Sequence, residues 1–446
     1  MIILVVKKNN ETSIEVFIEK NAKKYGIPKV ALKTLKDFGI FDARVLSVLT
    51  ETEISSIPNV SEKTAVALVR AADDTFRGPL FQKAVDQSER LLQKRKYFTT
   101  GSKELDKLLG GGMPTSAIIE INGEYRTGKT QTCLTCAVTS QLPEEQGGLG
   151  RPVIYIDTEN SFQAAHLQNI GERFGFEPEA LLSNLFVVQA EQLRYLNQAI
   201  DRLPGYVQAL DPGLIIIDSL MAPFRNEFHE LNLLAVRQKK LGRLLGLLKR
   251  IAIAFNTSVI FTNQVLANIG FSGKFVPVKA TGGHVVAHAS DIRIFMKKLK
   301  DNARSAKIDD CAWLPSDKVE YFITKHGISD EASIDLTKEK KEEVVEEKEA
   351  EPIDTPLVTG FKEVKEQKAK KSKKTKKASK TETPEVKEEQ VEVEEEPVEV
   401  EEPKIDPKEL LDFETELIAM EEGKDTSKPK SKSKSKSSVK KSKVPA

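Results

Sequence analysis

The residues with the clearest chemical purpose run from Gly123 to Thr130, reading Gly123-Glu124-Tyr125-Arg126-Thr127-Gly128-Lys129-Thr130. A glycine, four free positions and then Gly-Lys-Thr, set between an apolar strand and a helix, is the pattern that wraps backbone amides around phosphates. The glycines permit the tight loop, and the helix that follows adds favourable partial charge at its N-terminus. Lys129 then reaches the β and γ phosphates of ATP, Thr130 offers a hydroxyl to Mg2+, and Gln131 continues the helix. A metal also needs a carboxylate. Leu214-Ile215-Ile216-Ile217-Asp218-Ser219 is an apolar strand ending in an acid, which assigns Asp218 to the magnesium shell. Hydrolysis further requires a group that activates water. Glu159, two residues past Asp157, falls at the same sheet edge and is the expected general base; a solvated loop glutamate is the competing reading. Gln264, just beyond the strand Val259 to Thr262, is placed to sense the γ phosphate, against the alternative of a plain amide cap.

These groups need a frame that brings strand ends together. Apolar runs at Ala117 to Ile121, Val153 to Asp157, Leu185 to Val188, Leu214 to Asp218, Val259 to Thr262 and Ile292 to Met296 alternate with helical segments. That alternation predicts an α/β core with a doubly wound, mainly parallel sheet over residues 97–335, its faces covered by helices at Leu233 to Phe255 and Gln131 to Gln141. Residues 1–75 read as a small all-helical domain. A linker, 76–96, follows, in which Arg77-Gly78-Pro79 breaks one helix and Phe81-Gln82-Lys83-Ala84 opens the next periodic segment.

Residues 336–446 cannot build a core, because Lys, Glu, Ser, Thr and Pro dominate and too little apolar surface offsets the entropy of ordering the chain. A disordered tail is expected there. The formal net charge of +1 conceals a basic block at Lys370 to Lys380, an acidic one at Glu385 to Glu402 and a Ser-Lys run at Ser427 to Lys443. Within 405–423, Asp406-Pro407 opens a short amphipathic helix with Leu410, Phe413, Leu417 and Met420 on one face, a candidate dock for a protein partner.

Other chemistries are poorly supported. Three cysteines argue for a reducing compartment, and Cys133 and Cys136 form a lone CxxC on a helix, where packing explains them better than zinc. His284 and His288 share a helical face, yet no carboxylate completes a zinc set. No stretch approaches the roughly 18 apolar residues of a membrane span, so no membrane is expected, and a soluble protein of the cytoplasm beside its DNA, or of a nucleus where there is one, is.

Several segments in order resemble those of the RadA/RecA-like strand-exchange recombinases, in the archaeal RadA and eukaryotic branch. They are Thr99 to Asp106, Gly123 to Gln131, Tyr155-Ile156-Asp157-Thr158-Glu159, Thr262-Asn263-Gln264-Val265, and Gly282-Gly283-His284 through His288-Ala289-Ser290. The resemblance spans roughly Thr99 to Asp330. It implies a RecA-like P-loop ATPase core behind a helix-hairpin-helix domain, and a filament or ring of subunits on single-stranded DNA that pairs homologous double-stranded DNA with ATP at subunit interfaces. It further implies that Glu159 assists hydrolysis, that His288 approaches a neighbour's γ phosphate, and that Asp310 and Pro315 cap the adjacent nucleotide. His166 takes the place of an adenine-stacking arginine. Phe81 and Ala84 match a self-assembly segment of FxxA type, although the same spacing also describes a core face. Two DNA loops are implied: one between Arg225 and Arg237, the other from Val265 to Gly283, where Phe271 and Phe275 stack on bases while Lys274 and Lys279 neutralise phosphates.

The chain also departs from that family. Asn59 and Ser61 replace hairpin glycines, Glu230-Leu231-Asn232 replaces a Gly-Arg-Gly, and Asp310-Cys311-Ala312-Trp313-Leu314-Pro315 lacks an inner proline. The favoured reading is a DNA-dependent ATPase that exchanges strands in repair and recombination. The alternative is a recombinase paralogue that binds ATP and loads or regulates filaments without exchanging strands itself; a hexameric helicase of the same superfamily fits the segment order less well.

Overall fold

The computed structural model describes residues 11–228, 233–266 and 279–336. The expectations for the tail, for the helix within 405–423, for Glu230-Leu231-Asn232 and for Phe271, Lys274 and Phe275 therefore lie outside the described residues, as does the side chain of Lys279.

Four short helices come first: α1 (Ile14–Tyr25), α2 (Val30–Asp37), α3 (Glu51–Ser55) and α4 (Glu62–Phe76), with a 3-10 turn at Ala43–Ser47. Their starts are written in hydroxyls. Ser13 accepts from the Val16 amide and Ser61 from the Thr64 amide, while Thr50 and Glu53 exchange side-chain and backbone bonds at the head of α3. Asn59, between α3 and α4, takes the left-handed φ of 64° that a hairpin glycine would take, a conformation asparagine tolerates better than most residues. Ser61, two residues on, caps α4.

The segment after α4 contains α5 (Ala84–Lys94); Leu80 and Phe81 just before it are 90% and 91% exposed and Ala84 is exposed too. A small antiparallel pair, β1 (Tyr97–Phe98) and β2 (Met113–Pro114), brackets α6 (Lys103–Leu108). The main alternation then runs β3 (Ala117–Gly123), α7 (Lys129–Thr139), β4 (Val153–Asp157), α8 (Ala164–Arg173), α9 (Pro178–Ser183), β5 (Leu185–Gln189), α10 (Leu193–Leu210) and β6 (Leu214–Asp218). It continues α11 (Met221–Glu227), α12 (Leu234–Phe255), β7 (Ser258–Leu266), β8 (Lys279–Ala280), α13 (Gly283–Ala289), β9 (Ile292–Lys298), β10 (Ala303–Cys311), β11 (Lys318–Thr324) and β12 (Gly327–Ser329).

The strand order is β12-β11-β10-β9-β3-β7-β6-β4-β5, with β8 on β7. From β9 to β5 all neighbours are parallel, and these are the six strands expected from the apolar runs. β10, β11 and β12 add an antiparallel meander that the pattern of residues had not announced. Side-chain alternation feeds two apolar layers: Ile154 and Ile156 of β4 join one with α10 and α12, and Val153 and Tyr155 join the other with α7 and α8. The first layer is continuous with the buried residues of α1 to α4. Gln208 of α10 reinforces that junction, accepting from the amides of Phe41 and Asp42 and donating to the Gly39 carbonyl. Arg44 pairs with Asp42 and Asp211 while its guanidinium stacks on Phe255.

Candidate nucleotide site

In open parallel sheets, ligands bind beyond the carboxyl ends of the strands. Here β3 ends at Gly123, and α7 begins six residues later behind a loop whose turns demand glycine at two points. A Cβ on Gly123 would lie 2.5 Å from the Met296 carbonyl oxygen, and one on Gly128 would lie 2.4 Å from Ile323 Cδ1, with φ already at +99°. The loop is closed on itself by Thr127, whose hydroxyl donates to the Glu124 carbonyl at 2.9 Å. Lys129 Nζ donates to the carbonyls of Gly123 and Glu124 at 3.1 and 2.8 Å, so the ammonium is held across the mouth of the loop. Burial lowers its pKa, partly offset by Asp218 and Glu159. The first amides of α7 face the same space, where the helix dipole favours an anion.

Asp218 ends β6 and is 2% exposed. Tyr155 on the neighbouring strand donates to Oδ2 at 3.0 Å, and Thr262 of β7 donates to Oδ1. The nearby Thr130 hydroxyl also favours the charged form. Hydrogen bonds to a charged group are worth about 1.5–3 kcal/mol each. Desolvation still wins, since the carboxyl's pKa is raised by burial against all three hydroxyls. A buried carboxylate beside a hydroxyl, short of positive charge, is the donor chemistry that a magnesium ion fits.

Glu159, exposed at the tip after β4, accepts from Ser219 Oγ at 2.6 Å and from Gln264 Nε2 at 3.4 Å. The sheet therefore brings the expected base, the expected sensor and the residue next to Asp218 to one point. His166 of α8 shares a 2.6 Å hydrogen bond with Gln131, and burial lowers the imidazole's pKa, so the ring is neutral at neutral pH.

One cleft of 670 Å³ is lined by residues 125–131 together with Glu159, His166, Asp218 and Gln264. Arg304 of β10 and Ile323 and Thr324 of β11 form the wall facing Gly128, and Thr262 adds to the floor. Arg304 had no motif to announce it. Arg304 is buried within β10, and its guanidinium donates to the carbonyls of Asp301 and Ala303.

His288, Asp310 and Pro315 do not line this cleft. All are exposed, and the His288 ring stacks on His284 with centroids 5.9 Å apart. Arg225 on α11 and Arg237 on α12 are half-buried; Nη1 of the first and Nε of the second are buried without a hydrogen-bond partner among the described residues. Cys133 and Cys136 pack inside α7, where burial raises both thiols. Among the described residues, no helix is long and apolar enough to cross a membrane.

Comparison with known proteins places this geometry. The Rad51 family model matches residues 93–331. The mouse meiotic recombination protein DMC1/LIM15 homolog is 38% identical over 315 residues, which cover 69% of this chain and 91% of the mouse protein. The human protein of the same name matches to the same extent. Meiotic recombination protein DMC1 of Saccharomyces cerevisiae is 34% identical over 326 residues, covering 72% of this chain and 97% of the yeast protein.

Proposed function

The chain belongs to the Rad51 family and is a DNA recombinase of homologous pairing and strand exchange; on that premise we propose that it works as an ATP-switched filament on single-stranded DNA. The observation that carries the proposal is the meeting of Glu159, Gln264 and the Asp218–Ser219 strand end in the cleft that the phosphate loop opens.

In this reading ATP lies with its phosphates against the amides of residues 124–131. Thr130 and Asp218 would hold magnesium, which supplies charge neutralisation at the phosphate oxygens. Lys129 leaves the loop carbonyls for the β and γ phosphates. Glu159, fixed by Ser219, accepts the proton of the attacking water, and Gln264 reads the γ phosphate while touching that base. His166, neutral and held by Gln131, packs beside the base of the nucleotide. His288, Asp310 and Pro315, turned away from their own cleft, serve the nucleotide of the next subunit.

The exposed Phe81 and Ala84 supply the subunit contact: a phenylalanine 91% exposed costs free energy in water, and burying such a side chain in a neighbour returns about 1.5–3 kcal/mol. Arg225 and Arg237, each with a donor unmet among the described residues, hold DNA phosphates, and Phe271, Lys274, Phe275 and Lys279 complete the single-strand grip. The helices of residues 1–75 act as a helix-hairpin-helix module, 76–96 as the linker, 97–335 as the motor and 336–446 as a tail whose segment 405–423 binds protein partners. The site of action is wherever the DNA lies, which in a nucleated cell is the nucleus.

The test is ATP hydrolysis and strand exchange between homologous oligonucleotides, measured on the full chain with and without single-stranded DNA, with Lys129→Ala as control. DNA-stimulated hydrolysis with exchange, both absent in the variant, is expected. Hydrolysis without exchange would instead assign the chain to the filament-loading paralogues.

A further inference from the structure

Gln264 is held by more than its own strand. Its backbone carbonyl receives two donors from Thr281, the amide at 3.1 Å and the hydroxyl at 2.6 Å. Asn263 closes the clasp from the adjacent position, its Nδ2 donating to the Thr281 carbonyl at 2.6 Å and to Glu120 Oε1 at 2.8 Å. Glu120 is fully buried in the middle of β3 and takes Arg293 Nε on its other oxygen at 2.7 Å, across the β3–β9 pairing. A buried carboxylate whose oxygens are both engaged by fixed donors is a stiff anchor, because any movement strands a charge in a low-dielectric interior. Rigid polar contacts therefore run from the sheet centre through Asn263 and Thr281 to the backbone of Gln264. On the far side of that residue the side-chain amide meets Glu159.

We propose that Thr281 is a positioning residue for ATP hydrolysis, its hydroxyl fixing the backbone from which Gln264 presents its amide to Glu159 and the γ phosphate. The inference rests on the role given to Gln264 above. Threonine suits this position because its β-branched side chain has few rotamers, so a single hydroxyl bond sets a direction at little entropic cost. The bond is also doubled by the Thr281 amide, so losing the hydroxyl loosens the orientation of Gln264 without opening the turn.

The test compares Thr281→Val, which keeps the shape and removes the donor, with Thr281→Ser, which keeps the donor, and with Gln264→Ala. For each full-length variant, kcat and KM for ATP are measured with saturating single-stranded DNA, alongside the melting temperature. Thr281→Val is expected to lower kcat by about tenfold, the scale set by small misplacements of a reacting group, with KM within about twofold and an unchanged melting temperature. Thr281→Ser restores kcat, and Gln264→Ala falls at least as far as the valine variant. If Gln264→Ala falls while Thr281→Val keeps the parent kcat, the positioning role is refuted and the reading of Gln264 stands. If Gln264→Ala keeps the parent kcat, both fail together. A serine variant as impaired as the valine one, or a valine variant whose loss tracks a lower melting temperature, also overturns the proposal.

Discussion

Asp218 and Arg225 lie on successive elements of the same βα unit, yet their surroundings are opposite. The carboxylate is 2% exposed and receives donors from Tyr155 and Thr262, one on each oxygen, so its orientation is set before any ligand arrives. The guanidinium of Arg225, like that of Arg237, keeps a buried nitrogen with no partner among the described residues. A buried donor left unmet costs about 1–3 kcal/mol, and in the proposed function a shift of these side chains toward a DNA phosphate would supply the acceptor. The difference teaches how the two ligands are treated. In the proposed function, the nucleotide meets a site preassembled by the sheet, whereas DNA completes the two arginines on binding.

The comparison breaks most visibly at Asp218. Asp218→Asn keeps the size and most hydrogen bonds but removes the charge that suits magnesium, and ATP hydrolysis should fall at least about a hundredfold, because a bound metal supplies several kcal/mol of transition-state stabilisation. Steady-state hydrolysis over a range of magnesium concentrations checks this; activity close to that of the parent chain would remove Asp218 from the metal shell. A smaller effect sharpens the other side. The double change Arg225→Ala and Arg237→Ala should weaken single-stranded DNA binding uniformly across sequences and lower the slope of log affinity against log salt by about 1.4, at about 0.7 per lost phosphate contact. Its KM for ATP should stay where it was. An unchanged salt slope would mean that these arginines touch no phosphate.

How far the residues alone foretell this arrangement differs between the same two regions. The phosphate loop, Asp218, Glu159 and the six parallel strands were legible because their physics is local: an apolar run, a turn that needs glycine, an acid at a strand end. Arg304, Ile323 and Thr324 were not, because they enter the cleft through antiparallel pairing of β10 and β11, and neither strand is an apolar run. The same holds for Glu120 and Arg293. A charge in each of two strands looks like an interruption until the β3–β9 register sets them side by side. Phe81 was ambiguous between a core face and an assembly contact, and its exposure excludes the first within the described protomer. The self-assembly role itself rests on the proposal.

The proposed ATP-switched filament makes DNA affinity depend on the nucleotide bound. The most direct measurement is the affinity of the full chain for a single-stranded oligonucleotide by fluorescence anisotropy, taken with ATP and with ADP at one salt concentration. Coupling of about 1–3 kcal/mol predicts binding about 5- to 150-fold tighter with ATP. Equal affinities with the two nucleotides would contradict the account.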